Sequence, residues 1–577
     1  MTSDVMPRPR PALLALLAGA LVVLSLVAVL AALAAGGDNL VLRDAGPVAR
    51  IGAPVASTIA ALAAALTLGG AGIAGWLPLS ATDRARVLVV VAISAGVVTL
   101  GRGASLAFSY SLATGQAIGT DRFGSDLGVF LGTDLGLWLV AGLMIAAATT
   151  TVAVLGSSVG LARCVAVLAG LAAFCSAMTG HAAGNETHEV ATSTMLVHWL
   201  AMGLWVGGLA ALQLLRPGGR DDQRVLRGYS HLALICWIAL ALSGVCALAV
   251  RMNSPAEILT SAYVQLGVAK AVLLLLLGGL GALQRRQLAE GLAGEVYRRL
   301  AVLELALMGL AIALAAAMSS SPPPAETSTP PPGVAGVLTG YPLPPAPDLS
   351  TLVTAWRPDP FGMALGCVML LIWWRPTAPP RPRGASLRLI GSVAVLVLVT
   401  SGALNVYAKV LISAHVVQHL ALLLGVGALL GSAVAIPALV QRLVGEAWWR
   451  AALLALLGPA LLVAAYVSPF LFIAQDSHSA HLALQMLALA AGVLAALAVR
   501  VAPSRNLLVL VLLLLAGVAA GATMLFGDAL MAASWFGATG RTWWADALQD
   551  QHRAGAATLV LMALTAAIIV PAVLRRR

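Results

Sequence analysis

Charge is what this 577-residue chain has least of: Asp, Glu, Lys and Arg together make up 10% of it, and aromatic residues only 5%. A soluble domain carries about a quarter of its residues charged, so a composition this poor in charge excludes water as the solvent. Cysteine is scarce too. Cys164, Cys175, Cys236, Cys246 and Cys367 all fall inside apolar runs and none forms a CxxC pair, which argues against a disulfide frame and against a thiolate metal cage. Sustained alternation of apolar and polar residues is missing as well, and with it the signature of a transmembrane barrel. What is present is hydrophobic sequence. It amounts to 60% of the residues, with a mean hydropathy of +0.95.

A helix crossing a ~30 Å hydrocarbon layer needs roughly 20 apolar residues. Such stretches predict an all-α, polytopic transmembrane bundle of sixteen spans, near 11–35, 52–78, 86–110, 127–155, 160–180, 190–215, 230–250, 263–283, 298–318, 358–374, 387–406, 411–440, 451–474, 479–499, 506–526 and 553–574. The first follows basic residues and could pass for a secretory signal, but its apolar run is too long, so it counts as a span. With the N-terminus in the cytoplasm beside Arg8 and Arg10, 24 of the 34 basic residues fall in cytoplasmic loops and tails, eight at the outer face, and Arg102 and Lys270 within spans. The positive-inside bias holds loop by loop, where a miscounted helix would reverse it, and it puts both termini in the cytoplasm; the membrane is expected to be a bacterial inner membrane. The formal charge of +11 is scattered between spans and not gathered on one surface, so no nucleic-acid partner is expected.

Ten prolines between Ser321 and Pro347 interrupt the pattern and read as an extended, solvated linker outside the cytoplasm. They divide the chain into a nine-span half, 1–320, the linker, 321–350, and a seven-span half, 351–577. No internal repeat relates the halves, so a transporter of inverted repeats has no support.

This topology assigns a side to each of the nine histidines. His181 and His188 sit in the outer loop HAAGNETHE, His198 lies two turns into the following span, and His415 and His419 occupy the outer part of the twelfth. His478 and His481 open the fourteenth span and His552 the sixteenth; only His231 is cytoplasmic. A lone histidine near a helix end is usually a solvated interfacial residue, but ionisable groups within a membrane are costly and mark function. His415 and His419 are i and i+4, and His478 and His481 i and i+3, so each pair projects from one helix face toward one ion or ligand. Imidazole suits copper, zinc, iron and nickel. Asp476, Asp546 and Asp550 stand nearby. Methionines at 195, 202, 252 and 486 offer thioether, although core packing accounts for most methionines in such a chain. By spacing alone the pattern points to a metal or to haem.

Two segments resemble known families. HWLAMGLWVGGLAAL from His198 and YVQLGVAKAVLLLLLGGLGALQRR from Tyr263, with Lys270, resemble the CopD family, over roughly Val190 to Arg299. WRPDP at Trp356, SAHVVQHLALLL, the segment around His481 and DQHRAG from Asp550 resemble the polytopic CtaG family of cytochrome c oxidase assembly factors, over most of 351–577. Such a fusion is similar to those of actinobacterial membrane proteins. The resemblance implies copper uptake and tolerance for the first half and copper supply to the oxidase for the second. It carries over His415, His419 and His481 as ligand candidates, with Asp550 and Gln551 matching the start of an acidic pair. One departure stands out: where these proteins often have a further histidine a turn after the position of His481, this chain has Gln485 and Met486.

The expectation is therefore a copper-handling, non-enzymatic membrane protein. Its metal ligands come from His181, His188, His198, His415, His419, His478, His481, His552 and Asp550, with copper, Cu+ or Cu2+, as the bound ion. Its partners are oxidase subunits or a periplasmic copper chaperone, and the lipid bilayer. The alternatives are a redox subunit binding b-type haem between facing histidines and an oxidase assembly scaffold that binds no metal. Lys270 gates an ion path or snorkels to the surface.

Overall fold

The structure, a computed structural model, describes residues 11–35, 45–179, 188–216, 222–290, 295–321, 323–324, 333–373, 384–445, 447–502 and 505–574. Every regular element among them is helical. Fifteen helices are long and apolar enough to cross a membrane, and the expected tenth span corresponds to a shorter apolar helix, Pro360–Trp373, of 14 residues. Burial has the polarity of a membrane protein. Leu100 and Leu275 are 77% and 68% exposed, whereas His415, Gln418 and Asp550 are fully buried. In lipid the apolar surface needs no cover, and polar groups must find partners inside the bundle.

The chain forms two compact units, Met1–Ser328 and Thr329–Arg577. In the first, the core lies among the helices Gly46–Trp76, Ala81–Thr114, His188–Gln213 and Gln223–Ala249. Gly69 and Gly207 let two of them touch backbone to backbone: a Cβ at Gly207 would collide with the Ala65 carbonyl, and one at Gly69 with the Gly208 amide. Small residues at such contacts gain dispersion energy where lipid offers no hydrophobic drive. The five cysteines are free, and Cys175 and Cys236 are buried.

Four expected spans are broken, the 387–406 span at Gly402 between Ala385–Ser401 and Ala403–Tyr407. The span at 127–155 starts as a separate turn, Leu127–Leu131, and restarts at Asp134–Val154, where the Thr133 hydroxyl caps the Gly136 amide at 3.1 Å. The 451–474 span runs only to Val467; Pro469, which lacks an N–H, separates it from Phe470–Asp476. The 411–440 span changes character midway. Helix Ile412–Leu420 passes into a π-helical stretch, Ala421–Gly427, and ends in Ala428–Ala433. Part of the expected linker is also folded: Val334–Thr339 is a short helix with Ala335 and Thr339 buried, and Leu338 packs against the cluster of Trp535 and Phe536. Alanine, valine and leucine between the proline clusters supply that small apolar face, which a solvated linker would not bury.

The π-helical stretch packs on helix His478–Val501 through paired glycines. A Cβ on Gly492 would collide with the Leu423 carbonyl, and one on Gly427 would come 2.5 Å from the Leu489 carbonyl. This contact sets the distance between two histidine-bearing helices. Extra residues of π-helix often occur at functional sites.

Candidate metal centre

His415 and His419 project from one face of Ile412–Leu420, 4.4 Å apart between ring centroids. His481, one turn into His478–Val501, lies 5.7 Å from His415 and 6.1 Å from His419 on the same measure. All three are buried, at 0%, 3% and 4% exposure. Three imidazoles from two helices therefore share one site inside the second unit.

A phenol sits among them. Tyr466, near the end of helix Trp448–Val467, places its hydroxyl 2.9 Å from Nδ1 of His415 and 2.8 Å from Nδ1 of His419. One phenolic proton cannot serve both nitrogens. With both rings neutral, the hydroxyl either donates to one Nδ1 and accepts N–H from the other, or accepts N–H from both, and only the second arrangement leaves both Nε2 atoms as acceptors. The Nε2 atoms of His415 and His419 are buried and have no hydrogen-bond partner. Buried polar atoms rarely stay unsatisfied, so this pair of nitrogens marks a place for a ligand. The side-chain amide of Gln485 meets Nε2 of His481 at 2.9 Å. Gln485, one turn after His481, thus orients its ring. Among the described residues, no group of three His, Cys, Asp or Glu side chains is arranged to hold a metal ion.

The start of the histidine helix is held from far along the chain. Leu411 precedes it and supplies no side-chain cap. Asp550 does so instead, accepting from the Ile412 amide at 2.8 Å, the Ser413 amide at 3.4 Å and the Ser413 hydroxyl at 2.5 Å. A carboxylate satisfies the free N–H groups of a helix start and complements its dipole. Arg541 Nη2 faces Asp550 at 4.0 Å, and its Nη1 donates to the Val410 carbonyl. Burial pulls the Arg541 guanidinium below its ordinary pKa, and Asp550 opposes that pull. Lys409 Nζ donates to the Gln475 carbonyl at 3.1 Å, and Trp535 Nε1 to the Lys409 carbonyl at 2.9 Å. The loop before the histidine helix is therefore tied down by hydrogen bonds with three other segments.

The remaining candidates lie elsewhere or serve other partners. Asp550, expected as a ligand, is engaged by the helix start. His552 Nε2 lies 3.1 Å from the Gly527 carbonyl, and His478 is buried at the first position of its helix. His198 belongs to the first unit, with Nδ1 at 3.0 Å from the Ser243 hydroxyl. His181 lies outside the described residues; His188 begins helix His188–Gln213, and its side chain lies outside them.

The sequence pattern does not single out Tyr466, Arg541 or Gln418 as site residues. Gln418 is fully buried, and its amide donates to the Val399 carbonyl at 3.0 Å. A tyrosine or glutamine inside a membrane span must find a partner, and that was the signal available in sequence.

Two family models match the chain. Residues 223–318 match Copper resistance protein D (CopD), and residues 365–577 match Cytochrome c oxidase caa3 assembly factor (Caa3_CtaG). One chain carries a CopD-like and a CtaG-like part. The CopD match begins beyond the His198 segment and includes Lys270; the CtaG match takes in His415, His419, Tyr466, His481 and Asp550. No curated protein and no solved structure matches the chain. The two matches support a copper-related membrane function connected with oxidase assembly.

Proposed function

We propose that the chain handles copper at the membrane: the CtaG-like unit receives the ion at His415 and His419, with His481 beside them, and passes it toward cytochrome c oxidase, while the CopD-like part carries copper across the bilayer. The observation that carries this reading is the pair of buried, unpartnered Nε2 atoms, flanked by a third imidazole 5.7 and 6.1 Å away. Copper is cargo here. Neutral imidazole is a suitable donor for it, and a site with few ligands gives the ion up more readily than a closed four-ligand cage. On this reading Asp550, Arg541 and Gln485 position the rings, and nothing in it requires catalytic turnover.

Metal analysis of the purified full-length protein, beside a His415→Ala, His419→Ala double variant, tests the reading. Bound copper in the parent, lost in the variant, is expected, together with a lower copper content of the oxidase in cells that carry the variant. A Soret band in the parent would establish the haem alternative instead. Unchanged copper in the double variant would overturn the assignment to these two residues.

A further inference from the structure

A second group of buried polar side chains lies in the first unit, at the end of the bundle that carries Arg285, Arg298 and Arg299. Glu304 falls within the span Tyr297–Ser319 and is 3% exposed. Its Oε1 is buried with no hydrogen-bond partner, and Gln284, whose Nε2 is buried as well, is the side-chain amide that faces the carboxyl. Both line a cavity with Tyr229, Tyr297, Trp237 and Arg285. Among the described residues no ion pair involves Glu304.

The groups that face this carboxyl can be named helix by helix. Arg285 and Gln284 come from Ala262–Ala289, Tyr229 from Gln223–Ala249, Tyr297 from Glu304's own helix, and only Trp205 from His188–Gln213. Helices Pro11–Ala34 and Gly46–Trp76 also pack on the Glu304 helix and contribute no titratable group to the cavity. The Tyr229 hydroxyl is engaged by the Trp205 carbonyl at 2.8 Å. Glu304 and Arg285 border the same space beside Gly281, where a Cβ would stand 4.0 Å from Glu304 Oε1 and 3.9 Å from Arg285 Nη2, ordinary contact distances. The guanidinium is near the carboxyl and not bonded to it.

We propose that Glu304 is a reversible proton-binding site within the membrane part of the first unit. A carboxyl inside a span without an ion-pair partner contributes little to the fold that glutamine would not, and intramembrane ionisable groups mark ion or proton paths. The chemistry of the cavity selects the proton. It has room for little more than a water molecule. Its one carboxylate, one carboxamide and phenols fall short of the six or more oxygens a hard divalent cation takes, and a neighbouring guanidinium repels metal ions. Loss of the proton leaves a carboxylate beside Arg285, and its return leaves a neutral carboxyl beside Gln284. Both states have a polar neighbour. The inference is independent of the copper reading, since it concerns a different unit and a different ligand.

The test uses the full-length protein in lipid nanodiscs and dicyclohexylcarbodiimide, an apolar reagent that modifies protonated carboxyls, with the adduct mapped by mass spectrometry. Glu304 should be labelled at about pH 5, with labelling reduced about tenfold or more by about pH 9. Glu304→Gln should remove the adduct, and Glu304→Asp should retain it. Infrared spectroscopy gives a second readout: the protonated-carboxyl stretch should fall as pH rises in the parent and be missing from Glu304→Gln. Glu304 left unlabelled at both pH values, or labelled equally at both, would overturn the proposal.

Discussion

Replacing Tyr466 by phenylalanine removes one oxygen that serves two imidazoles. The phenol lies 2.8 and 2.9 Å from the Nδ1 atoms of His419 and His415. An ion held through both Nε2 atoms requires both rings to carry their proton on Nδ1, and only an oxygen with two free lone pairs can accept both N–H groups. In Tyr466→Phe those N–H groups face an apolar ring edge. Each buried, unsatisfied group costs about 1–3 kcal/mol. Loss of such an orienting partner weakens metal binding about 10–100-fold, or about 1.4–2.7 kcal/mol. Copper affinity measured by competition with a chromophoric chelator should fall within that range, while the variant stays folded and in the membrane. Parent-like affinity in a folded Tyr466→Phe protein would refute the reasoning, because the rings would then need no common acceptor.

Asp550→Ala strips the cap from Ile412 and Ser413 and leaves Arg541 buried without its carboxylate. The expected loss is about 3 kcal/mol or more, seen as a lower melting temperature and weaker copper binding together. Gly492→Ala forces a methyl group toward the Leu423 carbonyl; a loss of about 1–3 kcal/mol is expected, with the His481 helix displaced from the His415 and His419 rings, and unchanged stability would refute the close contact. The Thr351 backbone N–H, helped by the Ser350 hydroxyl, holds the exposed Asp348 carboxylate below its ordinary range. That depressed value means the cap on Leu349–Thr354 is in full force above about pH 3.9 and is lost as pH falls through the folded value, so amide exchange in 349–354 should accelerate only in acid.

The sequence by itself determined the solvent and the class. Runs of apolar residues long enough to span a bilayer require helices, because a backbone in lipid must satisfy its own hydrogen bonds, and arginine placement organises the loops between them. It also showed that His415 and His419 share a face, since an i, i+4 relation is local geometry. The placement of His481 against them, 66 residues along from His415, was decided by tertiary structure, through glycines at 427 and 492 that admit a backbone contact no local pattern encodes. Tertiary structure likewise gave His198 to Ser243 and His552 to the Gly527 carbonyl as partners. It also turned Asp550 from a candidate ligand into the cap of a helix 138 residues away. Helix faces follow from short-range periodicity; which faces meet, and which polar group satisfies which, depends on packing between segments far apart in the chain.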